Sequence, residues 1–484
     1  MGAEMELQQM IYDTLLTQIQ FGTFVYMDSL PATAEVGEHF HVSVDTVQLA
    51  YRRLKREGYI SLAKNVGARV LVSFTEEEIE QHIQTFFALR KDALLDLDGS
   101  FGLLFGRIWW LGLKHAPPET LDKIERLYQK HAQQPYALWQ YYEQKYVSLG
   151  NAMLTRLARQ FFLFFQAPFF SAAEYRHTLG EGARRVQETL KLCREKDWQA
   201  LQSLLCSYQN DLSASLHRFY RERVTLPAPE EQIAFYWNSY KKPGQLCYSL
   251  AMELLIAISR GVYPAGSLLP TMERLSEEKE ISMRTVRRAV GLLCNIGAVK
   301  SDRPYGMRVL PILESIHNCD FTQPPIRQRL LDMLESLQIF ALSCGAVAER
   351  ALRSLDPDSM GLWRQRLSAI KGMPYYDVLT YTVLALITDS IPNRTVHTVY
   401  SELLQQLFWG NPLRGMKGDR ETTNALLEPY LAGLISCLEN QDIPGFCGKL
   451  EQMLLYELGD SRDHLLQLGI KEAKNILVPE RDEW

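Results

Sequence analysis

The residues best suited to chemistry in this chain are basic and grouped. Arg284, Arg287 and Arg288 follow Ser282 in a stretch of helical periodicity, and Arg52, Arg53, Lys55 and Arg56 lie in a similar stretch after Ser43. Positions three and four apart share a helix face, so the first group would stand together as an array of guanidinium forks. Such an array pairs with phosphate oxygens or with the edge of guanine, which is recognition rather than bond breaking. The spacings of common catalytic motifs are missing: there is no Gly-rich phosphate loop, HExxH or GxSxG, so no enzyme activity is expected. Eight cysteines occur without CxxC spacing, which leaves no metal or cofactor to expect and points to buried thiols in a reducing compartment.

The elements that must position these side chains are written twice. Gly22, Leu30-Pro31, Ser43, Thr46-Val47, Ala50, Leu54, Gly58 and Gly67 recur as Gly261, Leu269-Pro270, Ser282, Thr285-Val286, Ala289, Leu293, Gly297 and Gly306, each 239 positions on. From residue 22 to 71, 14 of 50 positions are identical to their counterparts, and they are turn and core positions, so the chain contains a duplication. In each copy an apolar helical spacing (Leu15, Leu16 and Ile19; Leu254, Leu255 and Ile258) predicts a first helix that stops at a glycine. Ser43 and Ser282 are placed to cap a later helix whose inner face carries Val47, Ala50 and Leu54, or Val286, Ala289 and Leu293. The alternating segments that follow, with turns around Asn65 to Gly67 and Arg303 to Gly306, predict a hairpin. Three helices and a two-stranded wing make a winged helix-turn-helix, whose third helix enters a DNA major groove.

With Leu30-Pro31, Val42-Ser43, Thr46-Val47, Ala50-Tyr51-Arg52-Arg53-Leu54, Glu57-Gly58-Tyr59-Ile60 and Gly67 in place, the first copy resembles the DNA-binding domain of the GntR family of bacterial transcription regulators, and so does the second. The resemblance implies double-stranded DNA as partner. It also implies an Arg three places after the Leu-Pro proline, one after the capping Ser and one after the Thr-Val pair. Copy one has Ala34, Val44 and Gln48 there, and copy two has Glu273, Met283 and Arg287. The expected DNA contacts are Ser43, Thr46, Gln48, Arg52, Arg53, Lys64 and Arg69 in the first copy, and Ser282, Arg284, Thr285, Arg287, Arg288, Arg303 and Arg308 in the second. Six basic and six acidic residues lie between Met10 and Leu71, against nine and six between Ser249 and Leu310, so copy two has the better footprint for phosphate. The same fold also serves as a packing or partner-binding module.

Each winged segment is followed by long runs of helical periodicity, such as Leu138 to Phe165 and Thr422 to Leu458, which predict all-helical bundles. A fainter repeat links Leu190 to Trp198 with Leu434 to Asp442. The runs Tyr141 to Phe162 and Glu181 to Leu212 resemble the effector domain of the GntR subfamily that includes fatty-acid-responsive regulators. Many such domains hold a metal through an Asp and three His, and the matching places here are Leu138, Tyr142, Val186 and Tyr208, so no metal is implied. His177 and His217 are read as ordinary histidines. Clustered aromatics, among them Phe101, Phe105, Trp109, Trp110 and the run Phe161 to Phe170, suit a bundle core, a domain interface or an apolar ligand pocket. Trp109, Tyr142, Asn151, Phe162 and Tyr208 are the candidates for a pocket.

The expected fold is mainly α: winged domain 1–74, bundle 75–224, linker 225–244, winged domain 245–311 and bundle 312–484. A length of 484 residues and 46% hydrophobic residues suit several cores, and a net charge of −5 confines DNA contact to local patches. The first residues lack the basic start and apolar run of an export signal, and Phe161 to Phe170 is too short to cross a bilayer, so a cytoplasmic location and no membrane are expected. The best single reading is a DNA-binding transcriptional regulator, a pseudo-dimer in one chain with an apolar small-molecule effector and scope for further self-association. The alternative is a protein-interaction scaffold whose winged helices no longer read DNA.

Overall fold

The computed structural model describes residues 2–63, 67–131, 138–172, 178–237, 246–259, 261–311, 317, 319–372, 376–407, 409–410, 413, 416 and 420–480. The chain forms two compact units, Met1–Leu149 with Leu154–Gly244, and Gly150–Met153 with Gln245–Trp484. Each contains a winged helix-turn-helix and a set of long helices.

In the first unit the winged domain is α1 (Gly2–Gln20), α2 (Thr33–Phe40), α3 (Val44–Arg56), β1 (Ile60–Ala63) and β2 (Gly67–Val70). Its apolar positions close one core: Leu15, Ile19, Val47, Ala50, Leu54 and Val70 are all buried. Ser43 starts α3 by accepting a hydrogen bond from the Thr46 amide at 3.2 Å, which satisfies one of the helix's orphan donors and contributes roughly 1 kcal/mol. The strands pair antiparallel with Ile60 opposite Val70. The helices that follow are α4 (Glu76–Ala88), α5 (Lys91–Lys114), α6 (Pro118–His131), α7 (Trp139–Val147), α8 (Ala152–Phe161), a π turn (Phe162–Gln166), α9 (Ala167–Ser171), α10 (Thr178–Glu195) and α11 (Trp198–Glu222). Thr75 and Glu78 form a reciprocal capping box at the start of α4, fixing where the bundle begins. The segment after α11 runs along the bundle: the Ile233 amide donates to the Leu89 carbonyl at 2.7 Å, and Phe235 packs on Phe161 at 4.9 Å between ring centroids.

The second unit repeats the winged plan as α12 (Leu246–Ser259), α13 (Met272–Glu278), α14 (Met283–Asn295), β3 (Val299–Asp302) and β4 (Gly306–Val309). Its capping bond, from the Thr285 amide to Ser282, is again 3.2 Å, and Val299 pairs with Val309. The helices beyond are α15 (Pro324–Ser354), α16 (Pro357–Ile370), α17 (Leu379–Ser390), α18 (Arg394–Leu407), α19 (Arg420–Glu439) and α20 (Ile443–Gln467). Among the described residues α15 alone is long and apolar enough to cross a membrane, and its apolar stretch is mostly buried in the unit.

The fainter repeat has a structural counterpart. Lys196 and Gln441 both adopt positive φ, and the next residue, Asp197 or Asp442, caps a helix of 25 residues through the amide of Ala200 at 3.0 Å or Gly445 at 2.9 Å. Gly150–Met153 belong to the second unit, where Asn151 Nδ2 donates at 2.8 Å to both the Glu335 carbonyl and the Gln338 side chain.

Candidate nucleic-acid interface and a cavity in the first bundle

The recognition helices α3 and α14 start from the same cap and differ in what they expose. On α14 Arg284, Arg287 and Arg288 are exposed, and among the described residues none of them has a hydrogen-bond or ion-pair partner. They stand in its first two turns, the part of a recognition helix that reaches base edges. The counterparts on α3 are Asp45, Gln48 and Leu49, so copy one offers an acid, an amide and an apolar side chain where copy two offers three cations. Val44 and Leu49 are about 40% exposed there.

Arg52 is exposed on α3 and donates to Gln48 at 3.4 Å. Arg53 is committed elsewhere. It donates to Glu57 at 2.9 Å and to Gln9, with its guanidinium 3.8 Å above the Tyr12 ring, and Tyr12 donates to Glu57. Its expected DNA contact therefore meets a side chain already held against α1. Thr46 is likewise buried, with its hydroxyl on Ser43 at 2.8 Å, whereas Thr285 is half-buried.

In the wings, Arg69 donates to the Met27 carbonyl at 3.3 Å, and Arg308 donates to Gly266, the equivalent residue, and pairs with Asp302. Met27 and Gly266 both sit at positive φ, so the two copies share the backbone bend that presents this carbonyl, with a glycine there only in the second. Arg69 and Arg308 thus tie each wing to the loop before α2 or α13. Arg303, at the tip of the second wing, is exposed and has no described partner, and Tyr305 beside it is 70% exposed. Lys64 lies outside the described residues.

The first unit also contains a partly open cavity of about 730 Å³ between α5, α6, α7, the π turn with α9, α10 and α11. Trp109, Tyr142 and Tyr208 line it, as expected of pocket residues, and so do Leu138 and Val186, which completes the set of places matching the metal ligands of the effector domain. Asn151 and Phe162 are not on its wall. Asn151 is engaged in the second unit, and Phe162 packs one layer behind, 5.3 Å from the Tyr142 ring and 5.8 Å from Trp139. The π turn, which adds a residue to the helical turn, presents Phe165 and Gln166 to the cavity instead. Among the described residues no group of His, Cys, Asp and Glu is placed to hold a metal; His217 sits 3.8 Å from Asp98, and His177 lies outside the described residues.

Sequence reasoning passed over Lys145. Its side chain is buried in the cavity wall, with Nζ 4.4 Å from the Trp109 ring, 4.7 Å from Tyr141 and 4.6 Å from Tyr142. Removal from water pulls its ammonium down to about 7. Gly112 lets α7 come this close to α5, since a Cβ there would meet the Lys145 carbonyl oxygen at 1.8 Å. The signal was present: Leu138, Tyr141, Tyr142, Lys145 and Leu149 share one helix face, and a lysine within an otherwise apolar stripe is an anomaly.

Two three-helix units with paired wings, each presenting a capped third helix, define winged helix-turn-helix domains, a DNA-binding class. The family described as "Bacterial regulatory proteins, gntR family" matches the sequence at residues 7–70 and 249–309. The chain carries a tandem duplication of the GntR-type domain and is a DNA-binding transcriptional regulator. Among solved structures it is similar to a putative transcriptional regulator GntR from Rhodococcus sp. RHA1, at 16% identity over 44% of this chain and 99% of that one, with a TM-score of 0.23. It is also similar to a GntR of Streptococcus agalactiae, at 14% identity over 44% and 99%, with a TM-score of 0.22. No curated protein matches the sequence.

Proposed function

We propose that the chain works as a single-chain pseudo-dimer, with the domain limits given above, whose two unequal recognition helices read an asymmetric or imperfectly repeated operator. Fusion holds the second helix at high effective concentration, so a weak contact by α3 still adds to binding. Double-stranded DNA is engaged chiefly through Ser282, Arg284, Thr285, Arg287, Arg288 and Arg303, with Ser43, Gln48, Arg52 and Lys64 contributing from copy one. A small molecule in the first bundle's cavity, contacting Trp109, Tyr142 and Tyr208, biases DNA binding. Such control requires differential affinity for two states of the protein. The protein is a cytoplasmic switch and not a catalyst.

The observation that carries this reading is the exposed arginine set of α14, without partners among the described residues, set against Asp45, Gln48 and Leu49 on α3. The test is selection of bound sites from random DNA by the full chain. Two unequal half-sites at fixed spacing support the pseudo-dimer; a lone half-site removes it, and an absence of salt-dependent binding to any duplex removes the regulator. Light scattering of the same preparation reports self-association. A second reading, in which copy one docks a protein partner, is favoured by exposed Val44 and Leu49 on α3, and a single half-site with intact α14 contacts is its signature.

A further inference from the structure

Most charged groups around the bundle cavity are paired or reach solvent. Arg185 is paired with Asp211 at 2.9 Å, Arg223 with Glu80 at 2.6 Å, and Asp98 accepts from Ser213 at 2.6 Å. Arg218, also in the wall, is exposed, whereas Lys145 is buried, and among the described residues it has no carboxylate or hydrogen-bond partner, only aromatic faces. A buried ammonium without a counter-ion is costly and is normally neutralised, paired or retained for function. The groups around it do not supply an anion. Tyr141, Tyr142 and Tyr146 on its own helix and Tyr128 on α6 are held protonated by burial, and burial pushes the Cys193 thiol on α10 up to about 11.

We propose that Lys145 is the charge-recognising residue of the cavity and that the ligand is a small aromatic acid whose carboxylate pairs with Nζ while its ring lies among Trp109, Tyr142 and Tyr208. This deepens the small-molecule control suggested above and rests on it for biological meaning, though not for the binding itself. The volume, about 730 Å³, is ample for one ring with a short acidic arm.

A titrating cation makes the binding proton-linked. In the free protein Lys145 sheds its proton around pH 7 because burial disfavours the charge, and a bound carboxylate favours the charged form and raises that value. Binding therefore takes up a proton above pH 7, and affinity falls about tenfold for each further pH unit until the complex itself loses the proton.

The test uses the full chain with phenylacetate and phenylacetamide, which differ only in the charge of the head group, followed by calorimetry or ligand-observed NMR between pH 6 and 9. Phenylacetate is expected to bind at least about tenfold more tightly than the amide at pH 6.5, and to weaken with rising pH as above. Lys145→Met, which keeps the length and removes the charge, brings the acid to the level of the amide; a thermal melt of the variant shows that it is folded. Equal binding of acid and amide, a pH-independent affinity, or full binding by Lys145→Met overturns the proposal. So does failure of both probes to bind at millimolar concentration. Because binding is read directly, charge-selective binding that leaves DNA affinity unchanged supports the site while removing its regulatory role.

Discussion

In α3 the basic residues are Arg52, Arg53, Lys55 and Arg56, crowded into the last two turns; in α14 they are Arg284, Arg287 and Arg288, set in the first two. The two copies share the serine cap and the wing register. Duplication thus preserved the positions that decide folding and let charge drift along the surface, where single substitutions cost little stability. The drift has a functional direction, because early-helix side chains reach bases and late-helix ones reach backbone or solvent. On the reading proposed above, copy two supplies the base-reading arginines and copy one adds a weaker contact.

The largest effect that could break this comparison is loss of the α14 array. Arg284→Ala, Arg287→Ala and Arg288→Ala together should lower affinity for a selected site by at least about a hundredfold, since one bidentate Arg–guanine pair alone is worth roughly 1–3 kcal/mol. The plot of log affinity against log salt should flatten by about one unit for each arginine that neutralises a phosphate, as fluorescence anisotropy at several salt concentrations would record. If the triple variant binds like the wild type while Gln48→Ala does not, the roles of the two copies are reversed.

A smaller effect runs in the opposite direction. Asp45→Arg with Gln48→Arg rebuilds on α3 the charge of Arg284 and Arg287, removing an acid and adding two cations at exposed or half-buried positions. If copy one faces DNA at all, affinity should rise about tenfold, with a steeper salt dependence. No change in either quantity would mean that α3 is turned away from the duplex and that its exposed Val44 and Leu49 serve something else.

The winged domains were legible because their information is local: Gly22, the Leu-Pro pair, the capping Ser and the Val, Ala and Leu of the third helix each fix a turn, a cap or a buried face within a few residues. The faint repeat was legible for the same reason, since Asp197 and Asp442 cap helices after matching turns. The committed state of Arg53 and the burial of Thr46 were not, because a one-dimensional charge count does not record that Tyr12 and Glu57 lie across from Arg53. The cavity was half legible. Aromatic residues announced an apolar region, but Phe162 and Phe165 exchange places as wall and backing through a π turn that no periodicity argument contains. Lys145 was visible as a misfit in its stripe, yet its value depends on the lack of a counter-ion from the other helices around the cavity.

The smallest expected effect concerns that anchored arginine. The hydrogen bond from Tyr12, followed by that from Arg53, holds the Glu57 carboxyl below the usual carboxylate range, and Glu57 in turn fixes Arg53. Because the folded protein then binds its proton less readily than the unfolded chain, the network's stabilisation is present above the ordinary glutamate range, about pH 4.3, and is lost as pH falls through the depressed value. Copy two has Ala251, Leu292 and Ile296 at the three places and so lacks this dependence. Glu57→Gln should therefore lower the thermal midpoint near neutral pH, with the difference from wild type closing on acidification and amounting to less than about 1 kcal/mol, because both partners are about a third exposed. DNA affinity should hardly change, in contrast to Arg284→Ala. A Glu57→Gln variant that bound DNA more tightly would instead show that Arg53 had been released to the phosphates, and that the Glu57 contact is what keeps copy one weak.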